Sequence, residues 1–94
     1  KNFMALTILS EALTNGQTTS GDCFLNRGYF NLGVSGTFTG TVTVQRSADK
    51  STWATVATYT APTEEVGQEG EDIHYRASYS GTGTATVRFG QDRN

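Results

Sequence analysis

The sequence contains very little cysteine, histidine, proline or lysine. Cys23 is the only cysteine, so an internal disulfide is excluded and the fold must hold without one. This fits folding in a reducing cytosol, or within an assembled particle, better than a small secreted disulfide scaffold. His74 is the only histidine, which leaves too few partners for a zinc site or a catalytic triad. We expect Cys23 to be a small buried hydrophobe.

A strong charge of one sign and a long apolar run are also missing. The formal net charge of −2 argues against nucleic acid as a partner, because that binding depends on neutralising phosphates with basic side chains. No run is long and apolar enough to span a bilayer. Residues 3–9 are apolar but too short for the core of a signal peptide. The composition therefore predicts that neither nucleic acid nor membrane is a partner.

Threonine and glycine are the two commonest residues of the sequence. Threonine, with valine and the aromatic residues, suits a half-buried pleated surface, and glycine suits tight turns that need positive φ. In a chain of 94 residues the combination predicts one small domain of short strands joined by turns. Such a domain has one modest core and gains stability from partners.

Polar and apolar residues alternate along most of the predicted strands, which indicates one buried and one exposed face. His74 lies on the polar phase of its strand, so we expect it to face solvent. Gly81-Thr82-Gly83 predicts a tight hairpin that joins the last two strands. The residues predicted to face the core are Phe30, Leu32 and Val34; Val42 and Val44; Ile73, Tyr75, Ala77 and Tyr79; and Ala85, Val87 and Phe89.

The N-terminal part of the sequence is less regular. Residues 3–9 indicate a strand or an extended arm, and residues 10–16 allow one helical turn. We divide the chain into an N-terminal arm or first strand over residues 1–16 and a β-sandwich domain over residues 17–94. Because the connections are too short for crossover helices, the sequence predicts an all-β, antiparallel β-sandwich (jelly-roll or immunoglobulin-like) of six to eight short strands. A small closed barrel is the alternative.

Residues 47–53 contain the pattern Ser47-x-Asp49, followed by Thr52-Trp53. This stretch resembles the Asp-box hairpin, S-x-D-x-G-x-T-W, of sialidase-type propellers, although it is one residue short and lacks the glycine. In those proteins the motif is structural, so the resemblance implies a hairpin and no hydrolysis. We expect Trp53 to fill the core and a bulge to lie near Ala54 and Thr55.

The densest charge in the chain is the acidic stretch of residues 64–72. Carboxylates bind calcium, and a suitably spaced pair can hydrolyse glycosides. However, the calcium-loop spacing is missing and the neighbouring glycines favour a solvated loop, which is the interpretation we prefer. We predict no metal, no cofactor and no catalytic residue, and hence no enzyme.

Arginines supply the first set of candidate interface residues. Arg76 and Arg88 lie on polar strand phases, while Arg46 ends its strand and can swing out at the sheet edge. If these strands are neighbours, the three arginines form a positive stripe. Such a stripe would contact an acidic partner surface, for example the acidic stretch of another copy.

Aromatic and apolar residues supply the second set. Tyr29 and Tyr59 are predicted to be exposed, where they would stack on sugar rings or anchor a protein interface. Phe3 and Leu6 are further interface candidates if the N-terminal segment is an arm that reaches a neighbouring subunit.

A family resemblance runs over roughly residues 30–90. It is carried by residues 34–47, the turn from Asp49 to Trp53, residues 56–59, Tyr75-Arg76 and residues 83–88. These resemble small β-sandwich proteins in the virions of tailed bacteriophages, namely head decoration (cement) proteins and head or tail accessory proteins.

The resemblance implies a structural protein that is made in the host cytoplasm and located on the capsid surface of the virion. There it would bind and stabilise the lattice of the major capsid protein, and we expect a homotrimer because shells offer three-fold positions. The alternative left open is a carbohydrate-binding or adhesin module of a phage tail or cell-surface protein.

Overall fold

The computed structural model describes the backbone of residues 5–14 and 16–92 and the side chains of residues 7–14 and 19–91. Nine strand segments make up most of this part of the chain, which contains no helix. The helical turn allowed over residues 10–16 is therefore wrong, since residues 10–13 pair with the last strand. The segments are β1 (Ala5–Leu13), β2 (Gly16–Thr19), β3 (Cys23–Leu25), β4 (Gly28–Ser35), β5 (Phe38–Ser47), β6 (Ala54–Tyr59), β7 (Thr63–Glu69), β8 (Ile73–Gly83) and β9 (Ala85–Asp92).

The strands form two antiparallel sheets that pack face to face. One sheet has four strands in the order β1-β9-β4-β7, and the other has the order β2-β8-β5-β6 with β3 also on β8. Because β2 and β3 pair in succession with β8, the two layers together have eight strand positions. The predicted antiparallel β-sandwich of six to eight strands is confirmed.

The two layers are the halves of one long sheet that is folded across its middle. The chain passes from β4 directly into β5, and from β8 directly into β9, at this fold. Ser35 pairs with Thr86, and Phe38, three residues later in the sequence, pairs with Gly83, three residues earlier than Thr86. The register is therefore kept through the fold, and each long strand serves in both layers. This is the connectivity of a jelly roll.

The hairpin predicted at residues 81–83 does not form. β8 pairs with β5, and β9 pairs with β1 and β4, so the last two strands lie in different layers. Both strands still face the core with the predicted residues. Alternation fixes which side chains point inwards, but it is the same whether the next strand lies alongside or across the core.

Glycines allow the backbones of β5 and β8 to approach closely where the sheet folds. We call this part of the sandwich the closed end. A Cβ atom on Gly40 would lie 2.2 Å from the carbonyl oxygen of Ser80, and a Cβ on Gly81 would lie 2.2 Å from that of Thr39. Gly40 and Gly81 also have φ values of 148° and 153°, which side chains disfavour. The closed end therefore excludes larger residues at both positions.

The core lies between the layers and contains the apolar residues that the alternation predicted. All twelve of them are buried, and Leu13, Cys23 and Leu25 join them. Burial, and then the nearby Asp22 carboxylate, raise the pKa of the Cys23 thiol to about 12. The prediction that Cys23 is a small buried hydrophobe is confirmed.

The hairpin predicted at residues 47–53 joins β5 and β6, but Trp53 does not enter the core. Trp53 is half-buried on the outer face of the five-stranded sheet, and its Nε1 donates to the carbonyl oxygen of Lys50 at 3.3 Å. The Asp49 carboxylate accepts from the N–H groups of Ser51 and Thr52, which closes the turn tightly and leaves the indole outside. The bulge lies at Val56, next to the predicted position.

Candidate functional site

His74 and the carboxylates were the groups in the sequence with the chemistry of a metal or acid–base site. Within the described residues, no group of three or more histidine, cysteine, aspartate or glutamate side chains could hold a metal ion. His74 lies on the outer face of β8, where the Phe24 ring partly covers it with 4.8 Å between ring centroids. The described part of the chain also has no helix that could span a membrane.

The acidic stretch is largely a strand and not the predicted loop. Residues 63–69 form β7, which pairs with β4 at the edge of the four-stranded sheet. An edge strand has solvent along one side, and Glu64 and Glu65 are exposed there. Glu69, the last residue of β7, differs from them because it is buried, with 9% of its surface exposed.

Glu69 joins the two layers at the end of the sandwich opposite the fold, which we call the open end. Arg46 Nε donates to Glu69 Oε2, and Arg46 Nη2 donates to Glu69 Oε1, both at 2.8 Å. The Tyr75 hydroxyl also donates to Glu69 Oε2. The exposed Glu71 carboxylate lies 3.5 Å from Arg46 Nη2. Arg46 is thus held by acidic side chains of its own chain and does not swing out as predicted.

These contacts set the charge state of the open end. Burial opposes ionisation of Glu69, but the hydrogen bonds from Arg46 and Tyr75 and the charge of Arg46 outweigh it, so the pKa of Glu69 lies below its ordinary value of 4.5. Burial and the Glu69 carboxylate raise the pKa of Tyr75. The cluster is therefore a structural ion pair at neutral pH.

A second polar contact joins the layers at the open end. The buried Gln91 amide accepts from the N–H of Asn26 at 2.9 Å and donates to the carbonyl oxygen of the same residue at 2.6 Å. The Asp72 carboxylate accepts from the N–H of Arg27 at 2.7 Å. Both contacts fix the turn between β3 and β4, where the chain passes from one layer to the other.

The predicted arginine stripe does not form. Arg46 and Arg76 belong to neighbouring strands of the five-stranded sheet, but Arg88 lies on β9 in the other layer. Arg88 Nε donates to Thr7 Oγ1 at 3.0 Å on the outer face of the four-stranded sheet. The three candidates therefore belong to separate surfaces.

The outer face of the four-stranded sheet carries the most exposed aromatic residue among the described side chains. Tyr29 is 67% exposed, as predicted, and Val66 on the adjoining strand is 69% exposed. They flank a shallow hollow of about 160 Å³ that Asn31 also lines. Arg88 lies on the same face and has no carboxylate within ion-pair distance among the described side chains. We call the surface of Tyr29, Asn31, Val66 and Arg88 the docking face.

Tyr59 is less accessible than predicted. It packs partly against the core, and its hydroxyl donates to Glu65 across the edge where β6 and β7 meet. Burial and the Glu65 carboxylate raise its pKa to about 12. A cleft of about 290 Å³ opens between these two edge strands and reaches the core residues Phe30 and Val44. Tyr59 is therefore part of the edge of the sandwich.

The outer face of the five-stranded sheet holds a site that sequence reasoning missed. A cleft of about 310 Å³ is lined by the hydroxyl-bearing residues Thr19, Thr41, Thr43, Ser78 and Ser80, with Gln45 and Arg76 at one end. We call it the hydroxyl cleft. Its signal in the sequence is the threonine at every second position of residues 39–43, which puts the hydroxyls on one face of β5.

The remaining candidates belong to the N-terminal segment. The backbone of Leu6 pairs with that of Gln91 at the start of β1. The side chain of Leu6, and Phe3 altogether, lie outside the described residues. In comparisons with known proteins, no family model, no curated protein and no solved structure matches this chain.

Proposed function

We propose that this chain is a structural virion protein, a capsid decoration protein of a tailed bacteriophage, that binds the major capsid protein lattice through its docking face. The observation that carries the location of the contact is the exposure of Tyr29 and Val66 on neighbouring strands of one sheet face, where they flank the same hollow. Tyrosine and arginine are enriched among the residues that dominate binding energy in protein interfaces.

The composition of the docking face supports a protein partner. Arg88 has no acidic partner among the described side chains, so a carboxylate on the capsid protein would complete its pairing. Gly33 and Gly90 in the middle of the face leave space that the side chains of Glu64 and Arg88 cross, which keeps the surface low. A sheet face with little side-chain height around an exposed tyrosine can pack closely against a broad partner surface.

The chain's small number of lysines also favours docking. Lysine side chains lose much conformational entropy when an interface orders them, while threonines lose little. A marginal domain on a lattice is further stabilised by each contact with its neighbours. A homotrimer at the three-fold positions of the shell is part of the proposal.

Quantitative mass spectrometry of purified virions tests the proposed function. We expect the chain in stoichiometric proportion to the major capsid protein, and labelled antibody on the head and not the tail. Its absence from purified particles would contradict the virion role. Label on the tail alone would exclude capsid decoration.

A further inference from the structure

The hydroxyl cleft presents an ordered set of hydroxyl groups to solvent. Thr19 pairs with Ser78, and Ser78 pairs with Thr43 on its other side, so three hydroxyls form a row across three strands. Thr41 and Ser80 form the next row. Because the strands are held by their ladders, the spacing of these groups is fixed before any ligand arrives.

These hydroxyls have no side-chain partner among the described residues, unlike hydroxyls elsewhere in the molecule. Ser20, Ser47 and Tyr75 each bond to a neighbouring group. No such bond involves any of the five hydroxyls of the cleft within the part of the chain that the structure describes. Each can therefore donate and accept a hydrogen bond with a ligand.

Arg76 adds a fixed positive charge at one end of the cleft. Its guanidinium lies 4.1 Å from the centre of the Trp53 ring, and its Nε donates to Gln45 Oε1 at 2.8 Å. No carboxylate among the described side chains lies within ion-pair distance of it. The remaining N–H groups of a guanidinium held in this way suit bidentate binding of a carboxylate or sulfate.

We propose that the hydroxyl cleft binds an acidic saccharide, with its anionic group on Arg76 and its hydroxyls on the threonine and serine rows. A peptide is a poorer fit, because the backbone groups under the cleft are used in the sheet ladders and only side chains are offered. Neutral-sugar stacking is also a poorer fit, since Arg76 covers one face of Trp53. This site is separate from the docking face and does not depend on it.

Nitrogen-15 NMR titration of the whole chain tests the proposal. The probes are trigalacturonic acid, 3′-sialyllactose and a heparin-derived tetrasaccharide, with galactotriose and lactose as neutral controls and tetraglutamate as an acidic peptide control. We expect at least one acidic saccharide to shift the amide signals of residues 41–45 and 76–80, with Kd of about 0.1–1 mM. The neutral sugars and tetraglutamate should shift them far less.

Two variants and two matched controls assign the binding to the cleft. We expect Arg76→Gln to weaken binding about tenfold, by removal of the charged bidentate contact, and Thr43→Val to weaken it about threefold. Arg27→Gln changes an exposed arginine, and Thr86→Val changes a half-buried threonine of the other sheet, so both variants should bind within about twofold of the original chain.

The outcomes against the proposal are equally specific. The proposal would be overturned if none of the three acidic saccharides shifted these amide signals. Unchanged binding by Arg76→Gln with a native-like spectrum would also overturn it. Equal binding of tetraglutamate would show that the cleft recognises a carboxylate and not a saccharide. If Arg76→Gln fails to fold, comparison of Thr43→Val with Thr86→Val decides the same question.

Discussion

At the closed end of the sandwich, the backbones of β5 and β8 touch at glycines, whereas at the open end side chains join the two layers. Gly40 and Gly81 leave no space for a Cβ atom. At the open end, Arg46, Glu69 and Tyr75 form a charged cluster across the layers. One end of the folded sheet is therefore constrained by the space around its backbone and the other end by charge, so the two ends should respond to different perturbations.

We expect the greatest loss of stability from a methyl group added at the closed end. Gly81→Ala places a Cβ against the carbonyl oxygen of Thr39 in a disfavoured backbone conformation, so we expect the free energy of unfolding to fall by about 3 kcal/mol. Urea unfolding followed by circular dichroism measures it. Gly70→Ala is the matched control at the open end, where nothing lies within 4 Å of the added atom. Equal losses would contradict the comparison.

A smaller loss of stability is expected when the buried negative charge at the open end is removed. Glu69→Gln leaves the half-buried Arg46 without its bidentate partner, and we expect a loss of about 2 kcal/mol in the same assay. Glu71→Gln changes the exposed carboxylate beside the same arginine, so a loss of about 0.5 kcal/mol or less is expected. If the two variants were equally stable, the open end would not depend on the buried ion pair.

Acid should weaken the open end before the closed end. The pKa of Glu69 is depressed in the folded chain, so its contribution to stability is complete above the unfolded value of 4.5 and is lost as the pH falls through the folded value. Asp49 shifts in the same direction, because the N–H groups of Thr52 and Ser51 bond to its carboxylate.

The pH dependence is measured by urea unfolding at a series of pH values below 6. We expect stability to fall below pH 4.5, and the fall to be shallower in Glu69→Gln than in the original chain. Gly70→Ala should keep the original slope. A slope unchanged in Glu69→Gln would show that the ion pair does not set the acid limit.

A small gain in stability is expected from a substitution in the turn between β5 and β6. Lys50 has a φ of 66°, the left-handed conformation that glycine adopts without strain, so Lys50→Gly should raise the free energy of unfolding by about 0.5 kcal/mol. Thermal unfolding is sensitive enough to measure it. Ala48→Gly lies in the same turn without positive φ and should lower stability slightly. A loss in Lys50→Gly would mean that strain at this position is negligible.

The sequence predicted which side chains face the core, because a residue's position in an alternating pattern is enough to determine that. The inward directions of Tyr75 and Tyr79 follow from a period of two, and the structure buries both. The pattern could not tell that β9 lies across the core from β8, because the core side is the same in both arrangements. Gly81 and Gly83 look like hairpin glycines, but they mark the fold of the sheet.

The candidate sites depended on contacts between distant residues, which the sequence conceals. Arg46 was expected to be free because its acidic partner, Glu69, lies 23 residues away in the chain. Trp53 was expected in the core because its size suggests burial, yet Asp49 closes the turn so that the indole meets Arg76 instead. The hydroxyl cleft needs three strands in register, and that register is known only once the sheet is formed.

We propose that the face bearing Tyr29 and Val66 docks on the capsid lattice, and binding to purified shells that lack the chain is the decisive test. We would compare co-sedimentation of Tyr29→Ala with that of Phe24→Ala, which removes an exposed ring from the opposite layer. We expect Tyr29→Ala to weaken binding at least about tenfold and Phe24→Ala to leave it unchanged. Equal binding by the two variants would contradict the proposal.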